Sequence, residues 1–265
     1  MSVIPNSTAL ITGASSGIGA VYAEKLARRG HDLILVARDA ARMNALAERL
    51  RDQTGRSVEV LPADLTDAMQ VAKVAQRIAQ APGLGLLINN AGMALSGTLS
   101  TSAQGDVERL IALNITAPAL LARAAALRFA EQGSGAIVNI ASVLALAPEM
   151  FEGVYSGTKA FILNLSQNLS AELGPRGVHV QVVMPGATRT EIWARSGTDV
   201  DGFPPEMVMD AGDLVDAALI GLDRGETVTI PPLADEAGWE ALNRMRLALV
   251  PHLSRRDVAP RYAAG

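Results

Sequence analysis

Short runs of Ala, Val, Ile and Leu alternate along the chain with longer segments whose apolar residues recur at helical spacing. ALIT from Ala9 precedes a helical pattern near 17–29, DLILVA from Asp32 one near 39–53, and SVEVLP from Ser57 one near 67–80. LGLLIN from Leu84 is followed by helices over roughly 103–131, AIVNIA from Ala136 by a helix near 154–173, and VHVQVVMP then begins at Val178. From Glu191 the pattern breaks. Trp193, Phe203, Pro204 and Pro205 with nearby glycines predict a long mobile insertion over about 190–212. A helix near 212–223, a short strand TVTI and a C-terminal helix near 235–249 complete the reading.

Strand, helix, strand repeated in this way implies right-handed crossovers and a parallel sheet covered on both faces. The expected fold class is α/β: one doubly wound domain over 1–265, with a mostly seven-stranded parallel sheet and helices on both sides. Such sheets bind ligands beyond the carboxyl ends of their strands. Polar residues and glycines interrupt the apolar pattern at those ends, in TGASSGIG, AR, ADL, NNAG, ASV and PG.

A hydrophobic content of 49% in 265 residues suits one large domain with a sizeable core. The formal net charge of −4, without a Lys/Arg cluster, argues against a nucleic-acid partner. The chain has no cysteine, which excludes disulfides, thiol nucleophiles and thiolate metal sites. His31, His179 and His252 lie far apart without ligand spacing, so no metal is expected. No basic leader precedes an apolar segment and no run reaches eighteen uncharged apolar residues, so we expect a soluble, cytoplasmic protein with no membrane partner.

TGASSGIG puts Gly13, Gly17 and Gly19 directly after the first strand and at the start of the first helix. Glycines there permit a tight turn and close approach of backbone N–H groups and the helix dipole to a pyrophosphate. The spacing is G-x3-G-x-G, and a glycine-rich turn that only closes a strand onto a helix has the same composition. Other motifs follow in order: Asp64 in ADL, Asn89-Asn90-Ala91-Gly92, Asn114, Ser142, Tyr155, Lys159, and Pro185-Gly186 with Thr190. With these marks the chain resembles the short-chain dehydrogenase/reductase family over roughly residues 5–192. The resemblance implies a Rossmann-like fold, a nicotinamide dinucleotide cofactor and carbonyl/alcohol redox chemistry. It also assigns cofactor contacts to Gly13, Ser15, Ser16, Gly17, Ile18, Gly19, Asp64, Leu65, Asn90, Ala91, Gly92, Tyr155, Lys159, Pro185, Gly186, Thr188 and Thr190. Asp64 alone is equally a cap for the following helix, and Asn90 and Gly92 equally stabilise their turn.

The second strand ends LILVARD, with Ala37 where an acidic residue would hold a ribose 2′-hydroxyl, followed by Arg38. Arg38 offers charge-assisted hydrogen bonds to a 2′-phosphate, which favours NADP(H) while leaving NAD possible. The alternative for Arg38 is a solvated charge paired with Asp39 or a nearby carboxylate.

Tyr155 and Lys159, four apart in YSGTK, share one helix face. A phenol titrates near 10, so acid–base work near neutrality needs help, and a nearby ammonium and an oxidised nicotinamide both favour phenolate. With three Tyr and three Lys in the chain, this spacing is expected by chance only about 0.03 times. In isolation the pair would read as a helix-face Tyr beside a snorkelling Lys. Ser142, just beyond AIVNIA, is placed to hydrogen-bond a substrate oxygen. The resemblance gives Lys159 a second role on the ribose hydroxyls and gives Asn114 a water that connects Lys159 to solvent. The expected catalytic set is Asn114, Ser142, Tyr155 and Lys159.

Ser142, Leu144, Met150, Tyr155 and Trp193 are the expected substrate contacts, with Met93, Leu146, Phe151, Ala187, Ile192 and Phe203 nearby. This mostly apolar set favours a hydrophobic ketone, aldehyde or secondary alcohol. Apolar helices near 114–131 and 154–173 fit the family habit of pairing as homodimers or homotetramers. The expected function is an NADP(H)-preferring oxidoreductase. The alternatives are another reaction of the same family, such as epimerisation, dehydration or enoyl reduction, and a nucleotide-sensing protein without turnover.

Overall fold

The computed structural model describes residues 7–95, 97–150, 153–195, 197 and 199–262. The chain divides into two compact units, Met1–Pro231 and Pro232–Gly265. The first holds a seven-stranded sheet: β1 (Thr8–Thr12), β2 (Asp32–Ala37), β3 (Val58–Pro62), β4 (Leu84–Asn89), β5 (Gly135–Ile140), β6 (Val178–Val183) and β7 (Val228–Thr229). Its order is β3-β2-β1-β4-β5-β6-β7 and every pairing is parallel. The chain runs outward from β1 to β3, then returns to the other side of β1 with β4. The switch point therefore lies between β1 and β4, where a doubly wound sheet opens its ligand crevice.

Both sheet faces are buried, and alternate strand residues serve opposite faces. Ala9, Ile11, Leu33, Leu35, Leu86 and Ile88 join the core on one side, whereas Leu10, Ile34, Val36, Leu87 and Ile137 join the core on the other. Helices α1 (Gly17–Arg28) and α2 (Ala40–Thr54) cover the first face, while α3 (Ala68–Gln80) covers the second. Asp39 and Asp67 start α2 and α3 by accepting hydrogen bonds from first-turn N–H groups.

The apolar stretch read as helices over 103–131 is broken. It forms α4 (Gln104–Ile111), a π turn (Ala112–Thr116) and α5 (Ala117–Gln132). Pro118 has no N–H to close a bond on the carbonyl of Asn114, four residues earlier, and the wider turn accommodates that loss. By length and composition 104–132 passes the test for a membrane-crossing helix, but 44% of its apolar window is buried, with Leu121, Ala125 and Phe129 in the core. Burial against the sheet accounts for the apolar character of that face, while Leu120 and Leu127 stay exposed.

α6 (Gly153–Leu173) follows β5 and returns the chain to β6. Beyond β6 lie a short helix α7 (Ile192–Arg195), two 3-10 turns (Val200–Gly202 and Pro205–Met207) and α8 (Ala211–Arg224). The insertion is closed at its base: Met209 N–H donates to the Ala187 carbonyl at 2.9 Å and Arg189 N–H to the Met209 carbonyl at 3.0 Å. Inside it Arg189 pairs with Asp201 at 2.6 Å, and the rings of Trp193 and Phe203 lie 5.1 Å apart. The second unit contains α9 (Ala237–Leu249), with a short 3-10 turn after it (Val250–His252).

Candidate active site

β1 delivers the glycine turn to the switch point. Gly13 and Gly17 have φ of 67° and 54°, the left-handed region that glycine enters without strain. A Cβ on Gly19 would overlap the Gly13 carbonyl, and one on Gly13 would come within 2.8 Å of the Asn90 amide. The turn from β4 locks against this one. Thr12 Oγ1 accepts from the N–H groups of Asn90 and Ala91, both at 3.0 Å, and Asn90 Nδ2 donates to the Thr12 carbonyl at 2.9 Å. The Asn90 amide nitrogen thus braces the glycine turn.

The α1 N-terminus opens from this turn with no acidic side chain in its first turn. Its dipole and glycine-bared backbone suit an anion. At the end of β2, Arg38 is exposed and has no ion-pair partner within 4 Å among the described residues. Asp39 instead caps α2 and meets Arg42 at 3.4 Å. Asp64, after β3, accepts from the N–H and hydroxyl of Thr66 at 2.9 and 2.8 Å. Burial pushes its carboxyl up, but the Thr66 hydrogen bonds and the Arg38 charge outweigh it and hold the group below its ordinary value. A glycine turn at a helix N-terminus, with the Arg38 guanidinium exposed at the end of β2 and the Asp64 carboxylate after β3, fits a nicotinamide dinucleotide bearing a 2′-phosphate.

The other end of the crevice is built on β4, β5 and α6. Ser142, buried, stands two residues beyond β5, where its Oγ accepts from Leu144 N–H at 3.2 Å and lies 3.5 Å from the Pro185 carbonyl. Tyr155 and Lys159 occupy the first turns of α6, with Lys159 Nζ 5.5 Å from the Tyr155 ring centroid. Burial pushes the Tyr155 phenol up to about 12, and a hydrogen bond with Ser142 works in the opposite direction. Lys159 is 6% exposed and donates to the Ile140 carbonyl at 3.0 Å, and burial pulls its ammonium down to about 8.

Asn114 projects from the π turn. Its Oδ1 accepts from Met93 N–H at 3.0 Å, and its Nδ2 donates to the Met93 carbonyl at 2.8 Å and to Thr158 Oγ1 at 3.2 Å. A Cβ on Gly92 would lie 3.4 Å from Asn114 Oδ1 and 3.6 Å from Lys159 Nζ, so the two groups converge on the space that Gly92 leaves.

The structure thus gathers Asn114, Ser142, Tyr155 and Lys159 around the ends of β4 and β5, and Gly13, Gly19 and Asn90 around the switch point. Ser15, Ser16 and Ile18 are partly exposed along the turn, Leu65 is buried beside Asp64, and Ala91 and Gly92 follow β4. Pro185, Gly186, Thr188 and Thr190 follow β6, and a Cβ on Gly17 would meet Thr190 at 3.3 Å. Leu144 is partly buried, Met150 is 68% exposed, and Trp193 donates its ring N–H to the Thr188 carbonyl at 2.7 Å. Phe151 lies outside the described residues. Sequence reading missed Thr158, the carbonyl partners from Ile140 and Pro185, and the ion pair of Arg42 with Glu191 at 2.8 Å. Thr158 lay within YSGTK, and Pro118 four residues after Asn114 was a legible signal for the π turn.

The family model described as short chain dehydrogenase matches residues 7–201. An uncharacterised oxidoreductase of Staphylococcus saprophyticus is 32% identical over 231 residues, covering 86% of this chain and 95% of that protein. A short-chain dehydrogenase from Sphingobium yanoikuyae, solved in complex with NADPH, is 54% identical with a TM-score of 0.95, covering 97% of this chain and all of that one. The bulky-bulky ketone specific alcohol dehydrogenase from Comamonas testosteroni is 49% identical with a TM-score of 0.90, covering 97% of this chain and 99% of that one.

Proposed function

The chain belongs to the short chain dehydrogenase family, and on that premise we propose that it is an NADP(H)-preferring oxidoreductase interconverting bulky ketones and secondary alcohols. The observation that carries this reading is the convergence of Ser142, Tyr155 and Lys159 at the end of β5, with Lys159 buried against the Ile140 carbonyl. When bound, the nicotinamide supplies or accepts the hydride. Ser142 Oγ hydrogen-bonds the substrate oxygen and, through its bond with Tyr155, aligns that oxygen with the phenol. In reduction, the Tyr155 hydroxyl gives its proton to the developing alkoxide; in oxidation, the phenolate takes the alcohol proton. Lys159 stabilises the phenolate by its charge and would hold the ribose hydroxyls of a bound cofactor, and Asn114 would connect Lys159 to solvent through a water.

Arg38 supports the preference for the 2′-phosphate, and the Sphingobium relative with NADPH supports it independently. The ketone specificity named for the Comamonas relative, together with the Trp193–Phe203 pair and the partly buried Leu144, supports a substrate with two large apolar substituents. Exposed Leu120 and Leu127 on α5 and Phe161 on α6 support a homodimer or homotetramer, which we place in the cytoplasm. A panel of aryl and long-chain ketones, followed at the absorbance of the reduced nicotinamide with NADPH beside NADH, tests the whole reading. Turnover of bulky ketones with NADPH ahead of NADH is expected. Cofactor binding without turnover on any ketone or alcohol would replace it with the sensing role.

A further inference from the structure

Thr158 lies between Tyr155 and Lys159 on α6 and is 1% exposed. Its Oγ1 donates its single proton to the Tyr155 carbonyl at 2.7 Å, so toward Asn114 that oxygen only accepts, and it does so from Asn114 Nδ2 at 3.2 Å. The Asn114 amide is therefore held from two sides. Met93 grips it through the backbone beyond β4, and Thr158 grips it from the helix that carries the acid–base pair. Nδ2 donates to Met93 and Thr158 while Oδ1 accepts from Met93 N–H, and so held Oδ1 borders the space beside Gly92, across which lies Lys159 Nζ.

We propose that Thr158 is a positioning residue for the reaction: its hydroxyl ties the Asn114 amide to the catalytic helix and keeps the amide oxygen turned toward Lys159. An oxygen so placed supports the charged ammonium, and the charged ammonium supports the Tyr155 phenolate. Without the hydroxyl, one Asn114 N–H is buried with no acceptor and only the two Met93 bonds hold the amide, which turns against them to regain a partner. Turning carries Oδ1 away from Lys159, and the proton-transfer equilibrium moves although no group that touches substrate has changed. The inference rests on the assignment of Tyr155 and Lys159 made above.

The test compares Thr158→Val, which keeps the shape and removes the hydroxyl, with Thr158→Ser, which keeps the hydroxyl and removes the methyl. For alcohol oxidation, Thr158→Val is expected to lower kcat about tenfold at pH 7 and to move the acid limb of the pH profile up by about one unit. Thr158→Ser is expected to retain the wild-type profile. NADPH affinity, read by fluorescence titration, should stay within about twofold for both, since neither variant reaches the glycine turn. In the protein without cofactor, the rise of melting temperature that accompanies loss of the Lys159 proton should begin at lower pH in Thr158→Val than in wild type. An unchanged profile in Thr158→Val, or equal shifts in Val and Ser, would overturn the inference. If Thr158→Val does not fold, Thr158→Ala removes the same hydroxyl with less volume and is read by the same criteria. Tyr155→Phe run alongside separates the two levels. An active Tyr155→Phe defeats the underlying assignment, whereas an inactive one beside an unaltered Thr158→Val defeats the positioning role alone.

Discussion

At the phosphate end of the crevice the chain works by omission: glycines with left-handed backbone or no room for a Cβ, an asparagine consumed in bracing them, and a helix start without acidic side chains. At the end built on β5 and α6 it works by burial, with an ammonium, a serine and an asparagine enclosed and a phenol half-enclosed. The first arrangement offers an anion neutral backbone dipoles and a solvated Arg38, none of which changes charge near neutrality. The second places ionisable groups where water solvates them poorly, so burial drives the phenol and the ammonium in the opposite directions expected for neutral forms. Burial alone takes the Tyr155 phenol away from neutrality, against the sequence expectation, so acid–base work there depends on added positive charge, whereas anion binding needs donors that never change charge.

Four experiments sharpen or break that contrast. Tyr155→Phe should lower kcat by about a thousandfold or more while NADPH still binds, measured by steady-state kinetics and fluorescence titration. Near-normal turnover would remove the proton-transfer role from that end. Gly19→Ala forces a Cβ against the Gly13 carbonyl and should destabilise the fold by about 3 kcal/mol with loss of cofactor affinity, read by denaturant unfolding and titration. Full stability in that variant would mean the glycines are a compositional habit and not a steric need.

The third experiment concerns Lys159. Its folded value of about 8 lies below the ordinary 10.5, so below pH 8 the folded state carries the full cost of a buried charge. As pH rises from 8 to 10.5 the unfolded chain holds the proton and the folded protein does not, and stability increases. Relative to Lys159→Met, the wild type should gain about 3 kcal/mol across that window in urea melts. A pH-independent difference between the two would contradict the buried state of the ammonium. The smallest effect belongs to the solvated end: Arg38→Ala should weaken NADPH by about ten- to thirtyfold, on the scale of a charge-assisted hydrogen bond, and leave NADH almost unchanged. Equal losses for both cofactors would make Arg38 a general surface charge.

The sheet was largely legible in advance. ALIT, DLILVA, LGLLIN and VHVQVV are short, β-rich and apolar throughout, and strands buried on both faces need no other pattern. The YSGTK pair was legible because Tyr and Lys are scarce and helical spacing alone places them on one side. Three features were not read: the grip of Met93 and Thr158 on Asn114, the folded base of the insertion, and Thr12 as the partner through which Asn90 stabilises the turn. Each depends on a partner distant in the chain, such as Thr12 for Asn90 or Met93 for Asn114, and periodicity carries no information about such partners. The insertion in particular read as mobile because prolines and glycines dominate its composition. Its closure rests on backbone bonds between Ala187, Arg189 and Met209, which any sequence can make.

Local sequence was enough for the doubly wound sheet, the place of the glycine turn and the shared helix face of Tyr155 and Lys159, because apolar period, glycine sterics and helical spacing act over a few neighbouring residues. The environments came with folding: Lys159 enclosed against Ile140, Asn114 bordering the same gap at Gly92, and Thr158 joining that amide to α6. Desolvation and hydrogen-bond direction arise from atoms brought together from β4, the π turn and α6. They exist only once the chain has folded.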